Sequence, residues 1–124
     1  MTTKTINFKG YKLVVFKSKY RNRANNINSV ALLKYSKDIS KDNYAFYKTF
    51  ILSINILKNN IDDNHFFLRA YAENKEISDF LFEEGYLIKK NTIKYFTYGN
   101  HKIVIYEVEM TEKFMECIIE LWNF

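Results

Sequence analysis

The 124-residue sequence predicts a small α+β domain of α/β-like, three-layer build, with a small mixed or antiparallel sheet and about three helices. Three observations predict it. The length is that of one domain spanning residues 1–124, and 48% hydrophobic against 27% charged residues is an ordinary globular balance. Short runs of β-branched and aromatic residues alternate with segments whose apolar residues recur every three or four positions. No internal repeat, linker or low-complexity tract interrupts that pattern.

Thr5–Phe8 and Tyr11–Lys17 read as strands joined at Lys9-Gly10, with Val14, Val15 and Phe16 as typical strand residues. Ser18–Asn28 is polar, basic and rich in Asn, and reads as a loop. Ser29–Ser36 is an apolar run too short to decide between strand and helix. Ser40 is placed to cap a helix running to about Asn60, with Tyr44, Tyr47, Phe50/Ile51, Ile54 and Leu57 at helical spacing. His65–Ala72 reads as a strand. Asn74 is a good N-cap for a helix ending near Glu84, where Gly85 supplies a left-handed C-cap. Tyr86–Lys89 leaves as a strand, and Ile93–Tyr98 pairs with Lys102–Glu109 across Gly99-Asn100. In that hairpin Val104, Tyr106 and Val108 share the core side. Thr111 caps a last helix to about Trp122. Its end, Ile118 to Phe124, is apolar on more than one face, which fits burial in the monomer or a homodimer through that helix.

The net charge of +5 conceals an asymmetry: residues 1–50 sum to +9 and residues 51–124 to −4, and no acid precedes Asp38. The densest cations are Lys17, Lys19, Arg21 and Arg23, with Tyr20 among them and asparagines around them. Such a stretch is either a solvated basic loop or a contact for phosphate or an acidic surface, where an interleaved Tyr can stack. Three Arg against sixteen Lys argue against base-specific readout. Lys17, Lys19, Tyr20, Arg21 and Arg23 are therefore the partner-binding candidates. Tyr11, Tyr35 and Trp122 are further candidate anchors, though a place in the core suits each of them better.

Catalytic and metal-ligating candidates are absent. The three glycines, at 10, 85 and 99, form no phosphate-binding loop, and the two histidines and one cysteine lack zinc-ligand spacing. His65 and His101 read as surface residues beside turns, and Cys117 as a core thiol. Glu107 and Glu109 read as one exposed strand face. A single cysteine excludes an internal disulfide and fits a reducing, cytoplasmic compartment. The first ten residues lack the apolar stretch of a secretory signal, and no apolar run is long enough to cross a bilayer.

The segment Asn74-Lys75-Glu76-Ile77-Ser78-Asp79-Phe80-Leu81-Phe82-Glu83-Glu84-Gly85-Tyr86, with the hairpin after it, resembles the C-terminal half of the GNAT N-acetyltransferase fold. Asn74, Ile77, Phe80, Gly85 and Tyr86 fall in register with that family. Tyr20–Ser29 looks like a worn acetyl-CoA loop. The resemblance implies acetyl-CoA as cofactor, held by Arg21, Arg23, Asn26, Asn28 and Asn74, on a truncated version of that fold. The sequence departs from the family in three places. Asn26 and Asn28 stand where small residues admit pyrophosphate, Leu81 stands where a Tyr acid is usual, and the N-terminal helices are missing.

In size and composition the chain also resembles accessory proteins of phages and mobile elements, including anti-CRISPR and other anti-defence inhibitors. The function expected first is thus a non-catalytic binding protein without a cofactor, meeting a protein or ribonucleoprotein through its basic N-terminal half in the host cytoplasm. A degenerate acetyltransferase and a non-specific nucleic-acid-binding protein are the alternatives.

Overall fold

The computed structural model describes residues 4–20, 27–56 and 61–121, and the side chains of all these except residues 94–98 and 101. Seven strands and two α-helices are found among them. β1 (Ile6–Phe8), β2 (Tyr11–Lys19), β3 (Asn28–Lys34) and β4 (Lys48–Ile51) form one antiparallel sheet in that order. β5 (His65–Arg69), β6 (Leu87–Tyr98) and β7 (His101–Met110) form a second antiparallel sheet in the order β5-β7-β6. The helices are α1 (Lys75–Glu83) and the single turn α2 (Glu112–Met115).

Leu52–Ile54 stitches the two sheets together. The amides of Leu52 and Ser53 donate to the Val30 carbonyl on β3. The Ile54 amide donates to Phe67 on β5, and the Arg69 amide returns a bond to Leu52. The main core lies between the sheets and α1. It holds Leu13, Val15, Val30 and Leu32 from the first sheet, Phe66, Leu68, Val108 and Met110 from the second, and Ile77 and Leu81 from the helix. Because strand side chains alternate, Val14, Phe16 and Leu33 emerge on the other face of the first sheet. There they are covered by Ile39, Tyr44, Tyr47, Ile119 and Leu121. Phe67 and Ile105 emerge likewise on the second sheet and meet Ile27, Ile54, Ile56 and Ile61. Two-sided burial explains why the strands read as unbroken apolar runs such as Leu13-Val14-Val15-Phe16.

The three-layer α/β expectation is overturned. The chain is mostly antiparallel sheet, in two sheets, with one helix of more than a single turn. The helix expected over Ser40–Asn60 does not form, and local side chains explain why. Asn43 accepts from the Ser40 amide and donates to the Asp38 carbonyl, while the Ser40 hydroxyl takes the Asp42 amide. These bonds offer the backbone a turn in place of a helix. A 3-10 turn follows at Tyr44–Tyr47, and then Lys48-Thr49-Phe50-Ile51 adds to the open edge of β3. Residues 57–60 of the expected helix lie outside the described residues.

Of Ser29–Ser36, the residues to Lys34 are strand, within β3. Tyr86–Lys89 and Ile93–Tyr98, expected as separate strands, fall, from Leu87 on, in the single strand β6, whose register shifts at two bulges. The last helix stops at Met115 instead of Trp122. β1 pairs only with residues 11–13, so Val15 presents an open edge beyond it. The Val15 amide donates to Cys117 and the Val15 carbonyl accepts from Ile119, each at 2.8 Å, which draws the tail out as a short parallel bridge. Ile118 packs on the main core, and Ile119 and Leu121 on the cluster across the first sheet. Trp122 lies outside the described residues.

Other elements stand as expected. The β1–β2 hairpin turns at Lys9-Gly10, and α1 ends in a Schellman motif in which Gly85 (φ +76°) is C′. The Gly85 amide reaches Phe82 and the Tyr86 amide reaches Leu81. Thr111 caps α2 by accepting from the Phe114 amide.

Candidate functional site

The expected partner-binding stretch is only partly described; Lys17 and Lys19 share one face of β2. Lys17 is half-buried on β2, opposite Val30, and Lys19 at the strand end stands 3.9 Å from Asp63. Tyr20, the residue best suited to be an interface anchor by sequence, is half-buried. Its hydroxyl bonds Ser53 Oγ at 2.8 Å and its ring packs with Ile27 and Phe67. Arg21, Arg23 and Asn26 lie outside the described residues.

The two remaining cofactor candidates are clasps within the fold. Asn28 is buried, and its Nδ2 donates to the carbonyls of Asp63 and His65 at 2.7 Å each. The edge of β5 bonds Leu52 and Ile54 along Arg69 and Phe67, and the Asn28 side chain takes the next outward carbonyl, that of His65. It continues the ladder where the main-chain partner runs out. Asn74 is also buried and donates to the Ile51 carbonyl, tying the start of α1 to β4. It makes no capping bond to its own helix. The loop that resembled an acetyl-CoA cradle leads into β3, a strand. A helix N-terminus, the feature that favours a pyrophosphate there, does not follow it.

Basic and aromatic residues do gather at the other end of the first sheet, on its two faces. Register places Lys34 opposite Leu13, and the Tyr35 amide donates to the Lys12 carbonyl, so Tyr11-Lys12 and Lys34-Tyr35 are neighbours. Lys34 Nζ lies 5.6 Å from the centre of the Tyr11 ring. β4 brings Lys48 opposite Leu33 and over Tyr44, just after the 3-10 turn that carries Phe46. Tyr11 is 48% exposed, Tyr35 40% and Phe46 88%. Elsewhere lysines meet acids: Lys4 pairs with Glu116, Lys9 with Glu76 and Lys75 with Asp79. Among the described residues no carboxylate pairs with Lys12, Lys34 or Lys48. The sequence signal was two mirrored dipeptides flanking buried runs, and only strand register reveals that they touch.

The surface reading of His65 is also corrected, for its ring is 5% exposed. His65 Nδ1 donates to Glu107 Oε2 at 2.7 Å, and Asn91 Nδ2 donates to the other oxygen of that carboxylate at 3.4 Å. Glu107 is itself buried, contrary to the exposed-face reading, because it faces the covered outer side of the second sheet. His65 Nε2 stands 3.6 Å from both Asp62 and Glu109, and Lys90 stands 3.8 Å from Glu109. These bonds staple β5, β6 and β7 together. Among the described residues no set of three or more His, Cys, Asp or Glu side chains is arranged to hold a metal ion.

Cys117 is buried as expected, and burial pushes its thiol pKa up, away from the reactive thiolate. Burial also raises the Tyr86 phenol. No helix among the described residues is long and apolar enough to cross a membrane. No protein-family model, curated protein or solved structure matches the chain.

Proposed function

We propose that the chain is a small non-catalytic binding protein that grips an acidic surface of a macromolecular partner, a protein or a ribonucleoprotein. An anti-defence inhibitor of the anti-CRISPR kind is the class that its size and composition favour. The observation that supports this reading is the end of the first sheet, where Lys34 stands by Tyr11 on one face, Lys12 and Lys48 lie on the other, and Tyr11, Tyr35 and Phe46 are exposed. Lysines without a carboxylate partner raise the rate of encounter with an acidic face, and exposed aromatics supply the apolar anchors that slow release.

The two contributions separate in an experiment. A photo-crosslinking residue at Phe46 captures partner from a host lysate, and the captured protein is then titrated against variants by surface kinetics. Charge reversal at Lys12, Lys34 and Lys48 together should lower the association rate about tenfold and flatten its salt dependence. Phe46→Ala should act on the dissociation rate instead. Affinity unchanged in both variants would sink the reading.

A further inference from the structure

The β6–β7 hairpin stands apart from the acidic half of the chain that contains it. Between Gly85 and Tyr106 there are four lysines and no acid, whereas residues 51–124 as a whole sum to −4. β6 is an edge strand of 12 residues, paired on one side only, with β7. An edge of that length is a template for further pairing unless it is blunted.

The blunting covers only its first half. Bulges fall between Lys89 and Asn91 and between Thr92 and Lys94, beside the lysine pair Lys89-Lys90. Past the second bulge the register runs without a break from Lys94↔Ile105 to Tyr98↔His101. That segment, Lys94-Tyr95-Phe96-Thr97-Tyr98, is rich in strand formers and contains no proline. It also reaches beyond β5, whose ladder on β7 ends at Arg69↔Ile105 and the bond from the Ala70 amide to the Val104 carbonyl.

That last bond shows which way the backbone groups point. In an antiparallel pair the residues bonded to one neighbour alternate with those bonded to the other. Val104 turns its carbonyl toward β5, so its partner Tyr95 turns its amide and carbonyl to the open side, and so does Thr97 two residues on. β6 is the outermost strand of its sheet, so among the described residues no strand pairs with it on that side.

We infer that the distal edge of β6, at Tyr95 and Thr97, is a docking site for an extended acidic segment of a partner protein, which adds to the second sheet as a strand. Alternating amides and carbonyls are matched in series by another extended backbone, whereas a phosphate chain offers no donors to the carbonyls. Lys102, exposed and opposite Thr97, and the absence of acid from residues 85–106 select an acidic strand. A second copy would bring two such lysine-rich hairpins together, so self-pairing is disfavoured. This inference does not rest on the surface at the end of the first sheet.

The probe is a capped peptide of alternating Glu and Val, about ten residues long, matched by a version N-methylated at alternate residues to remove one row of donors. Amide exchange by NMR on the full chain should show Tyr95 and Thr97 exchanging fast alone and slowing when the peptide binds. N-methylation should weaken binding about tenfold or more, and so should Thr97→Pro, which removes an outward amide at an edge position that tolerates proline. Absence of binding would overturn the inference. So would binding indifferent to N-methylation, which would be charge attraction alone and which no misfolded variant can mimic. Protection of the same amides by poly(dT) would assign the edge to nucleic acid, and protection that grows with protein concentration alone would assign it to a second copy. Either result would overturn it as well.

Discussion

Replacing Asn28 by alanine should cost about 2 kcal/mol of stability. The side chain is buried, and both protons of its amide are given to main-chain carbonyls, those of Asp63 and His65, at 2.7 Å. A buried acceptor that loses its partner costs about 1–3 kcal/mol, and two are lost together. Against this, Asn28 Oδ1 has no hydrogen-bond partner, so removing it relieves a desolvated group of about the same individual cost. The balance is roughly one carbonyl, or about 2 kcal/mol, which for a domain of this size lowers Tm by roughly 8 °C. Urea unfolding followed by circular dichroism should show the loss as a lower midpoint with unchanged slope. Asn28→Asp should be worse, because it sets carboxylate oxygens against two carbonyl oxygens. The measurement also separates the clasp from the cofactor role that the GNAT resemblance implies. A cofactor contact would leave the melt of Asn28→Ala near that of the parent and abolish acetyl-CoA binding. A loss below about 1 kcal/mol would refute the reasoning about the continued ladder.

Glu107→Ala strands the His65 Nδ1 proton and the Asn91 amide in a covered face, and should cost about 3 kcal/mol. Glu107→Gln, which keeps an acceptor, should recover most of that loss, and equal melting of the two variants would contradict the staple. A third expectation concerns alkali. Burial raises the pKa of both Cys117 and Tyr86 in the folded state, so the folded chain holds those protons more tightly than the unfolded one. Their contribution is complete below the unfolded values of about 8.5 and 10 and is lost as pH rises through the folded ones. The urea midpoint should therefore fall above about pH 9, and less steeply in Cys117→Val and in Tyr86→Phe. Three identical pH profiles would show that burial of these groups is not felt in stability.

What could be read from the sequence was whatever adjacent residues decide. The Lys9-Gly10 turn, the Gly85 cap and the Thr111 cap each depend on bonds within a few positions, and all three appear in the structure. The alternation of Val104, Tyr106 and Val108 likewise marked the core side of β7. Where the reading failed, a distant edge competed with a local preference. Lys48–Ile51 could continue a helix as far as its own spacing is concerned, but β3 offers a row of unpaired backbone groups. Ile118 and Ile119 could extend α2, but Val15 lies open beside them. A 3.6-residue period records only which side chains are apolar; it does not record that a strand some hundred positions away lacks a neighbour.

The same limit governs the site. Clustering in sequence drew attention to Lys17–Arg23, because cations close in the chain are certain to be close in space. Tyr11-Lys12 and Lys34-Tyr35 lie on different strands, and their meeting depends on the register that pairs Leu13 with Lys34. Slipping that register by one residue would turn Leu32 and Val30 away from the main core, so burial of the apolar run is what brings these residues together. The buried asparagine and histidine follow the same logic from inside. Asn28 and His65 are unremarkable in sequence, yet the first carries the ladder past its last main-chain partner and the second finds its carboxylate 42 positions away. Among the described residues, Asn28 joins the two sheets, and His65 with Glu107 and Asn91 joins the three strands of the second.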